Sequence, residues 1–243
     1  MKKPVDFIQL ETVDSTNTWA KNHASTFNSA HLTCITAREQ TEGRGRQERK
    51  WISPKGNLYA SFYFTVPKST TYLANLGQIM ALACAEILCE MKVSVQLKWP
   101  NDLLVQDKKI GGVLSETIPH DRDIGVILGL GLNVNMPNHL LENLGQPATS
   151  LHLFLKKPVE PLALLQPLLS QFSLCLTALQ ARGFASLQPR FQELLARKGQ
   201  MVTVQLPLKK VQGICHSITA EGCLRLQLSS GEFLTLSVGE LLQ

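Results

Sequence analysis

The sequence lacks the common nucleotide-binding and serine-hydrolase motifs. It contains no G-x-x-x-x-G-K-[ST] loop, no G-x-G-x-x-G fingerprint between a strand and a helix, and no G-x-S-x-G element. The first two absences argue against a Walker-type phosphate loop and a dinucleotide-binding fold, and the third disfavours a serine hydrolase. Any phosphate site in this chain must therefore be built in another way.

Metal-ligand patterns are also absent from the sequence. There are six cysteines and six histidines, but no C-x-x-C pair, no H-E-x-x-H motif and no Cys/His cluster. Most of the cysteines lie inside apolar segments, which is typical of thiols that act as small core hydrophobes in a reducing compartment. The pattern argues against disulfides and against a structural zinc site.

Long hydrophobic segments are scarce. No segment approaches the roughly 20 apolar residues that a bilayer span needs, and no uninterrupted apolar run follows the first residues, as a secretory signal requires. With 44% hydrophobic and 18% charged residues, the composition is that of an ordinary soluble globular protein. We expect a cytoplasmic protein without a membrane partner. The net charge of +5 permits an acidic partner but does not demand nucleic acid.

Hydrophobic periodicity divides the chain into a larger mixed region and a small all-β region. Apolar or alternating runs predict strands over 7–10, 32–37, 58–66, 93–99 and 124–132, with a hairpin around 106–109. Helical spacing predicts helices from Asp14 or Ser15 towards Ala24, over 73–91, over 161–182, and a shorter one that ends at Lys198-Gly199. Strands over 201–206, 211–219, 223–228 and 233–238 predict a small barrel. The predicted domains are residues 1–198 and 199–243.

One loop carries an unusual density of cations and glycines. Residues 43–51 read Gly-Arg-Gly-Arg-Gln-Glu-Arg-Lys-Trp, and from 38 to 55 there are six Lys/Arg against three Asp/Glu. Gly43 and Gly45 allow the backbone to adopt positive φ and to approach a ligand closely, while Arg44 and Arg46 offer planar donors for phosphate or carboxylate oxygens. The loop taken alone is compatible with an anion-binding loop, with an exposed basic loop, and with a nucleic-acid patch.

Four further features point to one polar site. Ser15-Thr16-Asn17 lies at a helix start, where capping alone would explain it. Residues 98–102 read Lys-Trp-Pro-Asn-Asp and end a strand. Lys109 precedes Ile110 and two glycines, and residues 129–133 read Gly-Leu-Gly-Leu-Asn. Together they describe a glycine-lined sheet surface with polar groups at its rim and a basic flap above it.

These motifs, in this order and with Gln40 before the basic loop, closely resemble those of biotin protein ligases. The resemblance covers essentially the whole chain. It implies an α+β fold, with a mixed β-sheet flanked by helices and a small C-terminal SH3-like β-barrel. It also implies a two-step reaction, in which biotin and MgATP give biotinyl-5′-AMP and pyrophosphate, and the lysine of a biotin carboxyl carrier domain, as in acetyl-CoA carboxylase, then displaces AMP.

The resemblance assigns roles residue by residue. Catalytic residues would be Lys109, Arg44 and Arg46. Biotin would be bound by Ser15, Thr16, Asn17, Gln40, Gly43, Arg44, Gly45, Arg46 and Lys109. ATP or the adenylate would be bound by Trp51, Asn101, Asp102, Gly111, Gly112, Gly129, Gly131 and Asn133. Mg²⁺ is implied as a cofactor, but its ligands are not identified.

Two departures from the family pattern stand out. Glu48 lies where the family more often has a basic residue or glycine, which reduces the local positive charge. Only 14 residues precede Ser15, so we expect the ligase-only form, without a DNA-binding domain or a nucleic-acid partner, as a monomer or weak homodimer. The rival interpretations are a lipoate or octanoyl ligase of the same fold, a nucleic-acid-binding protein and a non-catalytic biotin-binding module.

Overall fold

The computed structural model describes residues 3–242, which form two β-sheets and six α-helices. The helices are α1 Thr16–His23, α2 Leu76–Glu90, α3 Asn138–Leu141, α4 Leu151–Leu155, α5 Leu165–Arg182 and α6 Gln188–Glu193. The strands of the first sheet are β1 Val5–Val13, β2 Leu32–Gln40, β3 Leu58–Pro67, β4 Gln96–Lys98, β5 Asp102–Val105, β6 Lys108–His120 and β7 Asp123–Leu132. Those of the second are β8 Met201–Gln205, β9 Lys210–Ile218, β10 Leu224–Gln227, β11 Phe233–Leu236 and β12 Glu240–Leu241.

The first sheet has seven strands in the order β1-β2-β3-β7-β6-β5-β4. The β1–β2 pair is parallel and every other pair is antiparallel. Strand β3, next to the central strand β7, is buried along nearly its whole length on both faces, since one face packs under α2 and the other under α1. The mixed sheet with flanking helices predicted by the family resemblance is thus confirmed.

Helix α2 forms the centre of the main core. Twelve of its fifteen residues are buried, and α5 packs against its outer side through Phe172 and neighbouring leucines. Burial of each large apolar side chain contributes about 1.5–3 kcal/mol before entropy is counted. The expectation that no segment is long and apolar enough to span a bilayer was wrong: Leu73–Glu90 and Pro161–Arg182 both are, by length and composition. The most apolar windows of these helices are 72% and 39% buried inside the protein.

The second sheet is antiparallel, in the order β11-β10-β9-β8-β12. It shares one core with the first sheet through Val204, Cys215 and Leu226. The turn between β9 and β10 is held by a side chain that follows β4 and by one of α2. Trp99 Nε1 and Gln78 Nε2 donate to the Gly222 carbonyl at 3.0 and 2.7 Å. A small barrel-like C-terminal sheet therefore packs firmly against the strand end that carries Trp99.

Three predicted boundaries need correction. The strand predicted over 93–99 is a ladder only from Gln96 to Lys98. Val93 and Val95 are buried as the alternation indicated, but the partner strand β5 turns away after Val105 at Gln106 and Asp107 (φ 51° and 61°). The helix predicted to end at 198 ends at Glu193, because Leu195 leaves it to pair with Leu97. The short strand β12 was not predicted.

The six cysteines are free thiols, as predicted, and four of them are buried. Burial raises the pKa of Cys34 and Cys84 to about 12 and that of Cys175 and Cys215 to about 11. A thiol reacts as its thiolate, so Ellman's reagent is expected to modify only the partly exposed Cys89 and Cys223 quickly in the native protein. All six should react in guanidinium chloride. Rapid native reaction of more than two thiols would contradict the burial described here.

Candidate active site

A cavity of about 440 Å³ opens on the α1 face of the first sheet. Its lining contains most of the predicted site residues: Ser15, Thr16, Asn17, Gln40, Arg44, Gly45, Arg46, Trp51, Asn101, Asp102, Lys109, Gly112, Gly129 and Gly131. Asn133 lines a smaller adjoining cavity of about 200 Å³ together with Trp51 and Lys109. Gly43 and Gly111 line neither cavity and act through packing. The predicted residues come from six elements, and the fold brings them to one place.

The inner end of the cavity is a hydrogen-bonded polar cluster at the start of α1. Gln40 Oε1 accepts from the backbone N–H of Thr16 at 2.9 Å, and Gln40 Nε2 donates to Ser53 Oγ at 2.9 Å. Asn17 Nδ2 donates to Glu116 Oε2 at 2.7 Å. Ser15, Thr16 and Asn17 are each 4% exposed. Ser15 is the N-cap residue of α1, yet its side chain makes no capping hydrogen bond, so capping does not explain this motif.

Two residues of this cluster were missed at the sequence level. Ser61 Oγ lies 2.6 Å from Asn17 Oδ1 and 2.8 Å from Thr16 Oγ1, and Glu116 accepts from Asn17. Ser61 is a small polar residue within the otherwise apolar and aromatic run 58–64 of β3, and that interruption was the available signal. Glu116 lies in an alternating strand, where a charged residue normally faces solvent, so only the strand register reveals its position.

The bare strand β7 makes room for the two side chains that bound the cavity. A Cβ added at Gly129 would lie 2.2 Å from Asn17 Oδ1, and one at Gly131 would lie 2.6 Å from the Trp51 ring. These glycines are therefore required by close approach. Gly111 is required in the same way, because a Cβ there would lie 2.9 Å from the Gly131 carbonyl oxygen.

Gly131→Ala is accordingly expected to push the Trp51 ring out of its position and to lower the free energy of unfolding by about 1–3 kcal/mol, the usual cost of overpacking. Gly77→Ala is the matched control, because an added Cβ there meets Ser115 only at an ordinary 3.5 Å and alanine favours the helix. Denaturant unfolding of both variants measures the difference. Equal stability of the two would contradict the close packing of Trp51 on Gly131.

The basic loop Gly43–Trp51 folds as a small closed flap. Gly45 N–H donates to the Arg49 carbonyl at 2.7 Å, and Trp51 N–H donates to the Gly43 carbonyl at 2.8 Å. Positive φ occurs at Gln47 (55°) and Glu48 (56°), not at either glycine as predicted. Gly43 is needed for a different reason, since a Cβ there would lie 2.5 Å from both Ser53 Oγ and the Trp51 carbonyl oxygen.

Each arginine of the flap contacts another part of the molecule. Arg44 Nη2 donates to Thr18 Oγ1 at 3.2 Å and to Glu116 Oε1 at 3.4 Å. Arg46 donates to Asn101 Oδ1 at 3.3 Å and to the Gly239 carbonyl at 3.2 Å. Arg49 pairs with Glu240 at 2.6 Å. The flap therefore bridges the α1 end of the site and the C-terminal sheet, a link that the sequence did not indicate.

The outer end of the cavity is strongly cationic. Its lining holds six Lys/Arg (Arg44, Arg46, Arg49, Lys50, Lys98 and Lys109) against Asp102 and Glu240. Lys109 Nζ pairs with Asp102 Oδ1 at 2.7 Å and lies 5.4 Å from the centre of the Trp51 ring. Burial lowers the pKa of Lys98, an effect that Asp102 partly offsets. An excess of cations in a half-buried cavity favours an anionic ligand.

Two buried donors of this region have no protein partner within residues 3–242. They are Arg44 Nε and Trp51 Nε1. A buried donor left unpaired costs about 1–3 kcal/mol, and a ligand oxygen at the flap would remove that cost. Asn101 and Asn133, by contrast, already donate to the Val113 and Thr149 carbonyls. Their amide nitrogens stabilise the protein, and their predicted roles towards the adenylate stay predictions.

Comparisons with known proteins identify the family of this chain. The family model described as the biotin/lipoate A/B protein ligase family matches residues 10–133, which are 124 of the 243 residues. The bifunctional ligase/repressor BirA of Escherichia coli is 35% identical over 130 residues, which cover 52% of this chain and 40% of that protein. The biotin–[acetyl-CoA-carboxylase] ligase of Paracoccus denitrificans is 28% identical over 91% of this chain and 94% of its own length.

A solved structure extends the likeness to the whole fold. The biotin protein ligase from Aquifex aeolicus, in complex with biotin and ATP, superposes with a TM-score of 0.83 at 29% identity and covers 98% of this chain and 97% of its own. The likeness includes the C-terminal sheet as well as the larger one. On the family match, the fold and the arrangement of the site, this chain belongs to the biotin/lipoate A/B protein ligase family.

Proposed function

We propose that this protein attaches biotin to a lysine of a carrier protein, using ATP and passing through biotinyl-5′-AMP. The observation that carries the proposal is the division of one cavity into two chemically distinct ends. The inner end offers uncharged hydrogen-bonding groups of α1 and β2 beside the glycine-bearing strand β7, and the outer end offers Arg44, Arg46 and Lys109. Such a cavity suits a ligand with a neutral polar ring at one end and an acyl-phosphate at the other.

The inner end fits the fused rings of biotin. The ureido group has one carbonyl acceptor and two N–H donors, which need partners once they are buried because each unpaired group costs about 1–3 kcal/mol. Ser15, Thr16, Asn17 and Gln40 supply hydroxyl and amide groups there. The apolar ring carbons would lie beside Asn17 and Trp51, the two side chains that pack on the backbone at Gly129 and Gly131.

The outer end fits the adenylation step. The biotin carboxylate attacks the α-phosphorus of ATP, a carboxyl C–O–P bond forms, the bond between the α-phosphorus and its bridging oxygen breaks, and pyrophosphate leaves with the bond electrons. Lys109, Arg44 and Arg46 would stabilise the negative charge that builds up on the reacting oxygens. Because these cations are held by carboxylate, amide and backbone partners before the ligand arrives, little reorganisation is needed during the reaction.

The second step is aminolysis of the mixed anhydride. The neutral ε-amine of the carrier lysine attacks the acyl carbon, a C–N bond forms, the bond from that carbon to the phosphate oxygen breaks, and AMP leaves while the amine loses a proton. Water would compete for the same carbon. The flap Gly43–Trp51, closed across the cavity, would keep the anhydride away from water until the carrier is bound.

Mg²⁺ is part of the proposal as the partner of the ATP phosphates. Within the described range 3–242, no group of three or more His, Cys, Asp or Glu residues is placed to hold a metal. This fits Mg²⁺, which is usually held by one or two carboxylates together with substrate phosphates. Asp102, which lines the cavity beside Asn101, is the protein group that would hold it. When bound, it would neutralise charge on the phosphates.

The acceptor is proposed to be a biotin carboxyl carrier protein in the cytoplasm. Support for the acceptor comes from the relatives that are named biotin–[acetyl-CoA-carboxylase] ligase and biotin–protein ligase 2, whereas the cytoplasmic location is inferred from the sequence composition alone. The cationic mouth of the cavity also suits a partner with acidic groups around its lysine.

Labelled biotin tests the proposal directly. Incubation with an apo-carrier domain should give covalent label that requires ATP and releases pyrophosphate, whereas a carrier whose acceptor lysine is replaced by arginine should remain unlabelled. Isothermal titration with biotin and with lipoate provides the second arm. A preference for lipoate would show that the protein is a lipoate ligase and not a biotin ligase. Binding of biotin without ATP-dependent labelling would show that it is a non-catalytic biotin-binding module.

A further inference from the structure

Glu116 contacts two residues that line the cavity, Asn17 and Arg44, and takes no part in the two proposed reaction steps. It lies on β6 opposite Ile127 of β7, with its side chain 25% exposed. One carboxylate oxygen accepts from Asn17 Nδ2 at 2.7 Å and the other from Arg44 Nη2 at 3.4 Å. It therefore contacts one group of the proposed biotin end and one group of the flap.

The contact with Asn17 fixes the direction of a hydrogen-bond chain. Glu116 and the Leu114 carbonyl can only accept, and both face the same nitrogen of the Asn17 amide. The amide oxygen must then point the other way, where it accepts from the Ser61 hydroxyl at 2.6 Å. Ser61 Oγ also contacts Thr16 Oγ1 at 2.8 Å. The donor and acceptor pattern of these side chains is consequently set by the carboxylate at the end of the chain.

The contact with Arg44 orients the flap arginine. Glu116 and Thr18 hold Arg44 Nη2, at 3.4 and 3.2 Å. Glu48 lies 3.7 Å from Nη1 but is 81% exposed, so it adds little. Arg44 Nε stays buried with no protein partner in the part of the chain that the structure describes. With one nitrogen anchored, the guanidinium keeps another donor for a ligand oxygen.

We infer that Glu116 is a positioning residue: it sets the hydrogen-bond polarity of the biotin-facing groups through Asn17 and fixes Arg44 of the flap relative to them. The inference rests on the proposed function, because it concerns how the same cavity recognises biotin. Charge-assisted hydrogen bonds are the strong ones in such a network, so loss of the carboxylate should be felt mainly in biotin binding. The cations of the outer end that Glu116 does not contact, among them Arg46 and Lys109, would still hold the ATP phosphates, so ATP binding should be affected less.

Two substitutions separate polarity from shape. Glu116→Gln keeps the size of the side chain but adds an N–H donor. The Asn17 amide can then rotate so that its oxygen faces residue 116, and its hydrogen bond from Ser61 is lost. Glu116→Asp keeps an acceptor-only carboxylate on a stem that is shorter by one carbon. If polarity matters, the Asp variant binds biotin better than the Gln variant. If only the filling of space matters, the order is reversed.

Isothermal titration and initial rates supply the measurement. Glu116→Gln is expected to raise the Kd and KM for biotin about 10- to 100-fold, the loss expected for one charge-assisted hydrogen bond, and to change the KM for ATP less than about threefold. Glu42→Gln is the control, because it removes the same charge from an exposed residue beside the flap. It should leave both constants unchanged. Thermal unfolding of each variant verifies that it is folded.

Each outcome decides a different question. If the wild-type protein fails to bind biotin, the proposed function fails and this inference fails with it. If the wild type binds biotin and Glu116→Gln binds it equally well, only the role of Glu116 is overturned. The same holds if Glu116→Asp is weaker than Glu116→Gln, or if Glu116→Gln raises the KM for biotin and for ATP alike. If the Gln variant does not fold, the Asp variant decides. Near-wild-type biotin affinity of Glu116→Asp supports the positioning role of Glu116, and loss of that affinity overturns the role.

Discussion

Lys109→Ala is expected to slow formation of biotinyl-5′-AMP by about 10²–10³-fold, the effect usually seen when a preorganised charge-stabilising group is removed from an active site. Lys109 is held by Asp102 at 2.7 Å beside the Trp51 ring, so its ammonium group is already oriented towards the cavity. Without it, the charge that develops between carboxylate and phosphate would meet only the flap arginines. Pyrophosphate release under single-turnover conditions measures the step.

The fold should tolerate this substitution. Asp102 would lose its partner, but its side chain is 21% exposed, and we expect a stability loss of about 1 kcal/mol or less, close to the value of a partly exposed pair. Lys108→Ala is the matched control, since Lys108 is the neighbouring lysine of the same strand and is exposed. Normal pyrophosphate release by Lys109→Ala, or an equal loss in Lys108→Ala, would show that Lys109 has no special role.

The sequence predicted the location of the site wherever a local sequence pattern was enough, without knowledge of the neighbouring strands. Gly129 and Gly131 in a strand indicated a close approach, and the structure places Asn17 and Trp51 against them. The cations of the loop and Lys109 were recognisable because charged residues next to glycines form motifs with a fixed spacing. The small C-terminal sheet was likewise predicted from the periodicity of its strands, whereas the mixed sheet was predicted from the family resemblance.

The sequence could not predict contacts that depend on strand register or on distant segments. Ser61, Gly129 and Leu114 lie side by side only because β3, β7 and β6 pair in one particular register. Glu116 faces the site for the same reason. The hydrogen bond between Arg46 and Gly239 joins residues 193 positions apart, and no local pattern encodes such a contact. Local patterns can also predict only part of a structure. The alternation at Val93 and Val95 correctly predicted that both are buried, but it wrongly predicted that they form part of a hydrogen-bonded strand.

Three of the six cations that line the cavity share one property that bears on mechanism. Lys109 is paired with Asp102, Arg44 with Glu116 and Arg49 with Glu240. Each is held in place by a carboxylate, which offsets part of the cost of keeping like charges close together. Arg46 differs from these three, because it is held by an amide oxygen and a backbone carbonyl. It therefore keeps its full charge for a ligand while it ties the flap to the C-terminal sheet.

Arg46→Ala is expected to release biotinyl-5′-AMP about 10- to 100-fold faster while the fold stays intact. The substitution removes both hydrogen bonds that connect the middle of the flap to Asn101 and to Gly239. A well-formed hydrogen bond from a charged donor contributes about 1.5–3 kcal/mol. Because these two bonds are long and only partly buried, we expect that together they contribute about as much as one well-formed bond. A flap that opens more often would expose the anhydride to water and let it escape.

Adenylate retention is measured with the intermediate formed from labelled biotin and ATP in the absence of a carrier, followed by the appearance of free biotin and AMP. Lys55→Ala is the control, because it removes a cation near the flap that is 62% exposed and pairs only loosely with Glu39 at 3.8 Å. Arg49→Ala should fall between the two, since Glu240 would be lost as an anchor while Arg46 still holds the flap. If Arg46→Ala releases the adenylate at the wild-type rate, the contact with Gly239 does not close the flap. If Arg49→Ala also releases it at the wild-type rate, the C-terminal sheet has no part in retaining the intermediate.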